Sequence, residues 1–136
     1  MRADSAIEEL CIERTMLPDR DVLVLTLIGS VSAKTFDILE SEISDVLRQK
    51  HFNIVIDLAN VNYVSSAGAG VLMNALAQLR ENRGNMVLAA AAPDVREILD
   101  LLKLSEVVPM VADLESALKL FQPSFGVFNA ALHPEL

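Results

Sequence analysis

The sequence predicts an α/β fold, a single domain with a mixed sheet of about five strands packed with about four α-helices. Three observations lead there. Short aliphatic runs such as Val22 to Ile28 (VLVLTLI) and Met86 to Ala91 recur along the chain and read as buried strands. Between them, apolar residues switch to the three-and-four spacing of a helix face. The first two runs are joined by a turn without a helix, so a hairpin precedes the alternation and the sheet cannot be wholly parallel.

The elements follow in order. Ile7 to Thr15 alternates loosely and is expected to be the opening strand, with Pro18, Asp19 and Asp21 as the turn. Val22 to Ile28 is the second strand and ends at Gly29. Ser32 is expected to cap a helix carrying Phe36, Leu39, Ile43, Val46 and Leu47 inward and the acidic Asp37, Glu40, Glu42 and Asp45 outward, a solvated face. Asn53 to Asp57 is a β-branched strand. From Val71 the residues Val71, Leu72, Ala75, Leu76 and Leu79 form one helix face, which Gly84 ends. After the strand Met86 to Ala91, Pro93 and Asp94 open a helix on Val95, Ile98, Leu99 and Leu102. Val107 to Val111 is a short last strand, and Leu114, Ala117, Leu118 and Phe121 line a last helix.

A chain of 136 residues makes one ordinary domain, and 52% hydrophobic but only 4% aromatic residues imply an aliphatic core. The net charge of −8 disfavours a phosphate-backbone binder, so neither nucleic acid nor an anionic membrane is an expected partner. The longest uncharged run, Leu58 to Leu79, contains three asparagines, two serines and a glutamine and is too polar to insert into a membrane. Met1 to Glu9 lacks the apolar core of a signal peptide. Cys11 is the only cysteine, expected to be a small buried hydrophobe in a reducing, cytoplasmic setting.

Chemistry concentrates in Ser65-Ser-Ala-Gly-Ala-Gly70, where strand becomes helix. A serine there caps free helix amides, and the same positive end stabilises an attached phosphate. At 100° per residue, Ser66, Gly70, Met73, Asn74 and Ala77 share the side opposite the apolar stripe, while Ser65 leans toward the sheet. Ser66 is therefore the candidate phosphorylation site, with Ser65 as the alternative, and the five residues of that side are the candidate partner-binding face. By themselves the residues favour a plainer junction of small side chains with a serine cap. Gly68 and Gly70 lack the third glycine of a dinucleotide loop, and no Gly-Lys-Ser/Thr follows, so no nucleotide cofactor is expected.

Asp57 ends its strand where a receiver domain carries a phosphoaspartate. Such a domain also needs an acidic pair after the first parallel strand and a lysine after the last. Here Gly29-Ser-Val-Ser32 and Ala112-Asp-Leu114 stand instead, so no metal site is expected. Asp57 is expected to bond to nearby loop amides. His51 and His133, the only histidines, lack metal-ligand spacing, and the serines lack a Gly-x-Ser-x-Gly elbow; both histidines are expected at the surface. No catalytic residue emerges.

The segment from Asp57 to Leu72 resembles the signature of STAS domains, the fold of bacterial anti-sigma-factor antagonists, and the likeness runs over most of residues 7 to 120. Register with the family places its phosphoserine on Ser66 and its glycine on Gly68, and aligns Gly29-Ser-Val-Ser32 with its motif ahead of the first helix. The family's acidic residues at two positions are Ser65 and Ser32 here, so Ser32, Asp57 and Gly68 become structural residues of the proposed switch. The resemblance implies an anti-sigma factor with serine kinase activity as partner, of the ATP-binding, histidine-kinase-like fold, and a phosphatase that reverses the mark. It implies transcription regulated through a protein-interaction switch, and no enzyme activity. The alternatives are a non-phosphorylated STAS scaffold, such as a stressosome subunit or a lipid-transport complex component, and, from another class, a receiver-like phosphoaspartate protein. A homo-oligomer stays open. Residues 1–121 are expected to be the domain and 122–136 a C-terminal extension docked on the domain or on a partner, since Phe125, Val127, Phe128 and Leu132 are apolar.

Overall fold

The computed structural model of the chain describes residues 9–121. Its strands are β1 (Leu10–Leu17), β2 (Val22–Val31), β3 (Asn53–Val64), β4 (Asn85–Ala89) and β5 (Met110–Val111). Its helices are α1 (Phe36–Arg48), α2 (Ser66–Glu81), α3 (Pro93–Leu101) and α4 (Leu114–Leu120), with a 3-10 turn at Leu104–Glu106. The sheet order is β1-β2-β3-β4-β5; β1 runs antiparallel to β2 and every other pair is parallel. This is the mixed five-stranded sheet with four helices that the alternation predicted.

Parallel neighbours in sequence order, joined by right-handed crossovers, must carry their connecting helices on one face. Accordingly Leu39 and Ile43 of α1, Leu72 and Leu79 of α2, and Val95 and Leu99 of α3 share one core with Leu25, Ile54 and Met86 of the sheet. The alternate residues Val22, Val24, Val55, Val87 and Ala89 point to the other face and meet Ala117 of α4 and Phe121, its C-cap. Val-rich strands buried on both faces explain why the runs in β2, β3 and β4 read as continuous rather than alternating.

Several expectations are corrected. β3 does not end at Asp57 but continues to Val64. The polar Asp57, Asn60 and Asn62 look like a loop in sequence, yet the strand absorbs them through two register shifts against β2. Extra residues on one strand of a pair turn side chains outward without ending the pairing. Asp57 Oδ1 accepts from the Ala59 N–H at 3.0 Å, so the expected carboxylate–amide bond exists, within the strand. β5 is shorter than Val107–Val111 because Leu104–Glu106 turns first and buries Leu104. Helix α2 ends before Gly84: Arg83 takes the positive φ of 65°. Gly84 is required for space instead, since a Cβ there would lie 1.8 Å from the Phe52 carbonyl oxygen.

Cys11 is exposed, not buried. On edge strand β1 its neighbours Leu10 and Ile12 face α1, α2 and α3, which leaves Cys11 on the opposite face, the one that carries α4. His51 is half-buried rather than at the surface, and His133 with the 122–136 extension lies outside the described residues.

Helix α4 starts at Asp113, whose carboxylate accepts from the Ser116 N–H at 2.7 Å. Hydrogen bonds from the Ser116 backbone first, and from its hydroxyl second, hold the Asp113 carboxyl below its ordinary value of 3.8. A carboxyl depressed on folding adds stability above its unfolded pKa, lost as pH falls through the folded one. Asp113→Ala should therefore lower the melting temperature at neutral pH, and thermal melts should show the gap to wild type closing in acid.

Candidate functional site

The strand–helix junction is built by backbone geometry. The Ser65 N–H donates to the Val31 carbonyl at 2.7 Å, tying the end of β3 to the end of β2. Ser65 is extended (φ −85°, ψ 171°) and is the N-cap of α2: its Oγ accepts from the Gly68 N–H at 3.1 Å and its carbonyl from the Ala69 N–H at 2.9 Å. The first turn comes so close to β2 that a Cβ on Gly68 would sit 2.5 Å from Cγ1 of Val31. Gly68 is thus a glycine by close approach.

Ser66 is the first helical residue and is exposed, whereas Ser65 is half-buried. The Ser65 hydroxyl is committed to the cap. Ser66 Oγ makes no hydrogen bond among the described residues, and it stands where the helix dipole favours negative charge. The stability effect assigned to each serine therefore separates: Ser65→Ala should cost about 1 kcal/mol through the lost cap, while Ser66→Ala should change nothing resolvable. Denaturant titration of both variants checks this. A cap role for Ser66 is excluded by this geometry.

The loop after β2 lies beside this junction. Ser32 is not the cap of α1, which begins at Phe36 behind Thr35. Ser32 instead closes a turn: its N–H donates to Thr35 Oγ at 2.8 Å, and its Oγ accepts from the Lys34 N–H at 3.1 Å. Thr35 Oγ donates onward to the Ser30 carbonyl at 2.7 Å. The turn delays the helix because two hydroxyls here satisfy backbone groups that a helix start would use. Asp57 is not part of this constellation; it lies roughly 20 Å back along β3.

Gly70, Met73, Asn74 and Ala77 are exposed on α2 together with Ser66. Nothing comes within 4 Å of a Cβ placed on Gly70. Asn74 and Gln78 also form one wall of an open groove of about 300 Å³ whose other wall is Asp37, Glu40, Ser41 and Ser44 of α1. Glu42 and Asp45 on the far side of α1 pair with Arg14, and Asp45 also with Arg48. Asp37 and Glu40 make no ion pair among the described residues. The α1 wall was read in sequence only as a solvated face; its signal was a second helical stripe, Asp37, Ser41, Ser44 and Arg48, at four-three-four spacing. Among the described residues no group of three His, Cys, Asp or Glu could hold a metal ion. No described helix is long and apolar enough to cross a membrane.

Residues 15–117 match the family model of the STAS domain. The chain is 30% identical over 101 residues to a Bordetella bronchiseptica protein named as anti-sigma factor antagonist BtrV, covering 74% of this chain and 87% of that one. Among solved structures, an anti-sigma factor antagonist from Mycobacterium paratuberculosis superposes with a TM-score of 0.75 at 24% identity, covering 83% of this chain and 94% of that one. The Bacillus cell fate determinant SpoIIAA, solved in its phosphorylated form, superposes with a TM-score of 0.62 at 20% identity, covering 80% and 97%.

Proposed function

The chain belongs to the STAS domain family, and from that premise we propose that it is an anti-sigma-factor antagonist, a protein-interaction switch whose partner is an anti-sigma factor with serine kinase activity. Phosphorylation of Ser66 is the control, a phosphatase resets it, and transcription is regulated through the sigma factor so released or sequestered. The observation that carries this reading is the exposed Ser66 hydroxyl at the start of α2, without a hydrogen bond among the described residues, beside a Ser65 hydroxyl already used as the cap. A phosphate adds roughly −1.5 to −2 charges at neutral pH. On that exposed helix end it meets favourable backbone dipoles, so the fold tolerates it. A partner seated over Ser66, Gly70, Met73, Asn74 and Ala77 meets the charge directly and is repelled or blocked.

The likeness to the Bordetella antagonist and to a relative solved in a phosphorylated form supports the same reading. A second reading, the non-phosphorylated scaffold, is favoured by one observation: Ser32 and Ser65, where the family carries acidic residues, are engaged in backbone turns and caps. Incubation with the anti-sigma-factor kinase and ATP, followed by phosphosite mapping, separates the two. One phosphate on Ser66, absent from Ser66→Ala, supports the switch. Phosphate on Ser65 overturns the choice of serine. Stable binding with no phosphate on either serine leaves the scaffold.

A further inference from the structure

We propose that the groove between α1 and α2 anchors the partner by taking a cationic side chain, an arginine or a lysine, from the docked surface of the anti-sigma factor. The inference rests on the antagonist reading and adds to it the chemistry of the partner. Both helices follow parallel strands and lie side by side on one face of the sheet, so their N-termini share one end of the molecule. The groove between them holds about 300 Å³. Its floor is apolar, lined by the buried Ile43, Val71 and Ala75. One wall carries the carboxylates of Asp37 and Glu40, and the other the side-chain amides of Asn74 and Gln78.

This composition selects its occupant. Asp37 and Glu40 are exposed and make no ion pair among the described residues, whereas Glu42 and Asp45 of the same helix are held by Arg14. Arg48, the one cation lining the groove, stands about 16 Å along α1 from Asp37 and is paired with Asp45. The acidic end is therefore uncompensated, and it is the end nearer Ser66. A lysine or arginine joins an aliphatic stem to a charged head, so the stem covers the apolar floor while the head reaches the carboxylates. Arginine fits both walls at once, because its planar fork donates to several acceptors and the amide oxygens of Asn74 and Gln78 face the carboxylates. An acidic side chain here would meet two like charges, and an apolar one would strip water from carboxylates without replacing it. Asn74 belongs both to this wall and to the exposed face of Ser66, Gly70, Met73 and Ala77, so the groove continues the docking surface. Neither Ser65 nor Ser66 lines it, so the groove supplies affinity and the switch is separate.

Nuclear magnetic resonance titration of the isotope-labelled full-length chain with N-acetylarginine amide tests the groove without any partner. The side-chain amide signals of Asn74 and Gln78 should shift and saturate in the millimolar range. N-acetylcitrulline amide, which has the same shape without the charge, should shift them about tenfold less at equal concentration. The variant Asp37→Asn/Glu40→Gln should lose the arginine response with circular dichroism unchanged, since both side chains are exposed. No shift, an equal response to citrulline, or an unchanged response in the double variant would overturn the proposal. A second arm uses the anti-sigma-factor kinase of the phosphosite mapping, to which the double variant should bind about tenfold more weakly, with the gap narrowing at high salt. Unchanged affinity would also overturn the proposal. A kinase that does not bind the wild-type chain overturns the antagonist reading instead, and the arginine titration then decides the groove alone.

Discussion

Ser66→Asp should weaken binding to the anti-sigma factor by roughly tenfold and phosphorylation at Ser66 by more, with Ser66→Ala close to wild type. The ordering follows from charge. One carboxylate supplies about half the charge of a phosphate and fewer acceptor oxygens. The side chain at this position is exposed and has no hydrogen-bond partner among the described residues, so the added charge faces outward and not into a compensating internal bond. The helix itself should accept aspartate, a favourable residue near an N-terminus, and circular dichroism should stay unchanged. Isothermal titration of the three proteins against the partner measures the effect. Equal affinities would remove the switch and leave the scaffold reading.

The second large effect divides the two faces of α2. Leu72 is 1% exposed and packs in the main core, so Leu72→Ala should destabilise the domain by about 2–5 kcal/mol, as Leu→Ala does where the cavity cannot collapse. Gly70 lies one turn from the cap with open space beyond its Cα. Gly70→Ala should stabilise the helix by up to about 1 kcal/mol, because glycine in a helix interior is disfavoured by that amount. Gly70→Trp should leave the domain folded and lower partner affinity by filling the space the partner backbone would take. Thermal melts and titrations on the same samples separate stability from binding. A Gly70→Trp variant that unfolds would show that this face is internal.

Much of this architecture was legible along the chain because the rules that set it are local. Aliphatic runs and three-and-four spacing define which segments are strands and helices, and right-handed crossovers then dictate the layer on which α1, α2 and α3 lie. The exposed side of α2, with Ser66, Gly70, Met73, Asn74 and Ala77 together, also follows from the wheel alone. Which serine caps the helix does not. Ser65 and Ser66 are chemically identical neighbours, and the Ser65 N–H bond to the Val31 carbonyl ties down the junction in which one hydroxyl turns to Gly68 and the other has no partner among the described residues.

The same division explains the corrections. β3 runs past Asp57 because β2 supplies hydrogen-bonding partners up to Val31, and pairing with a neighbouring strand outweighs the poor strand propensity of Asp57, Asn60 and Asn62. Cys11 is exposed because it lies on the edge strand β1, at the end away from Leu17, where α4 packs. Gly84 is set by the Phe52 carbonyl and the groove wall of Asp37 and Glu40 by the packing of α1 beside α2. The sequence by itself determined the elements, their order, the position of the serine pair and the outward side of α2, since these depend on residue type and period. Tertiary structure decided which serine caps the helix, the exposure of Cys11 and the length of the strands, because those depend on contacts between residues far apart in the chain.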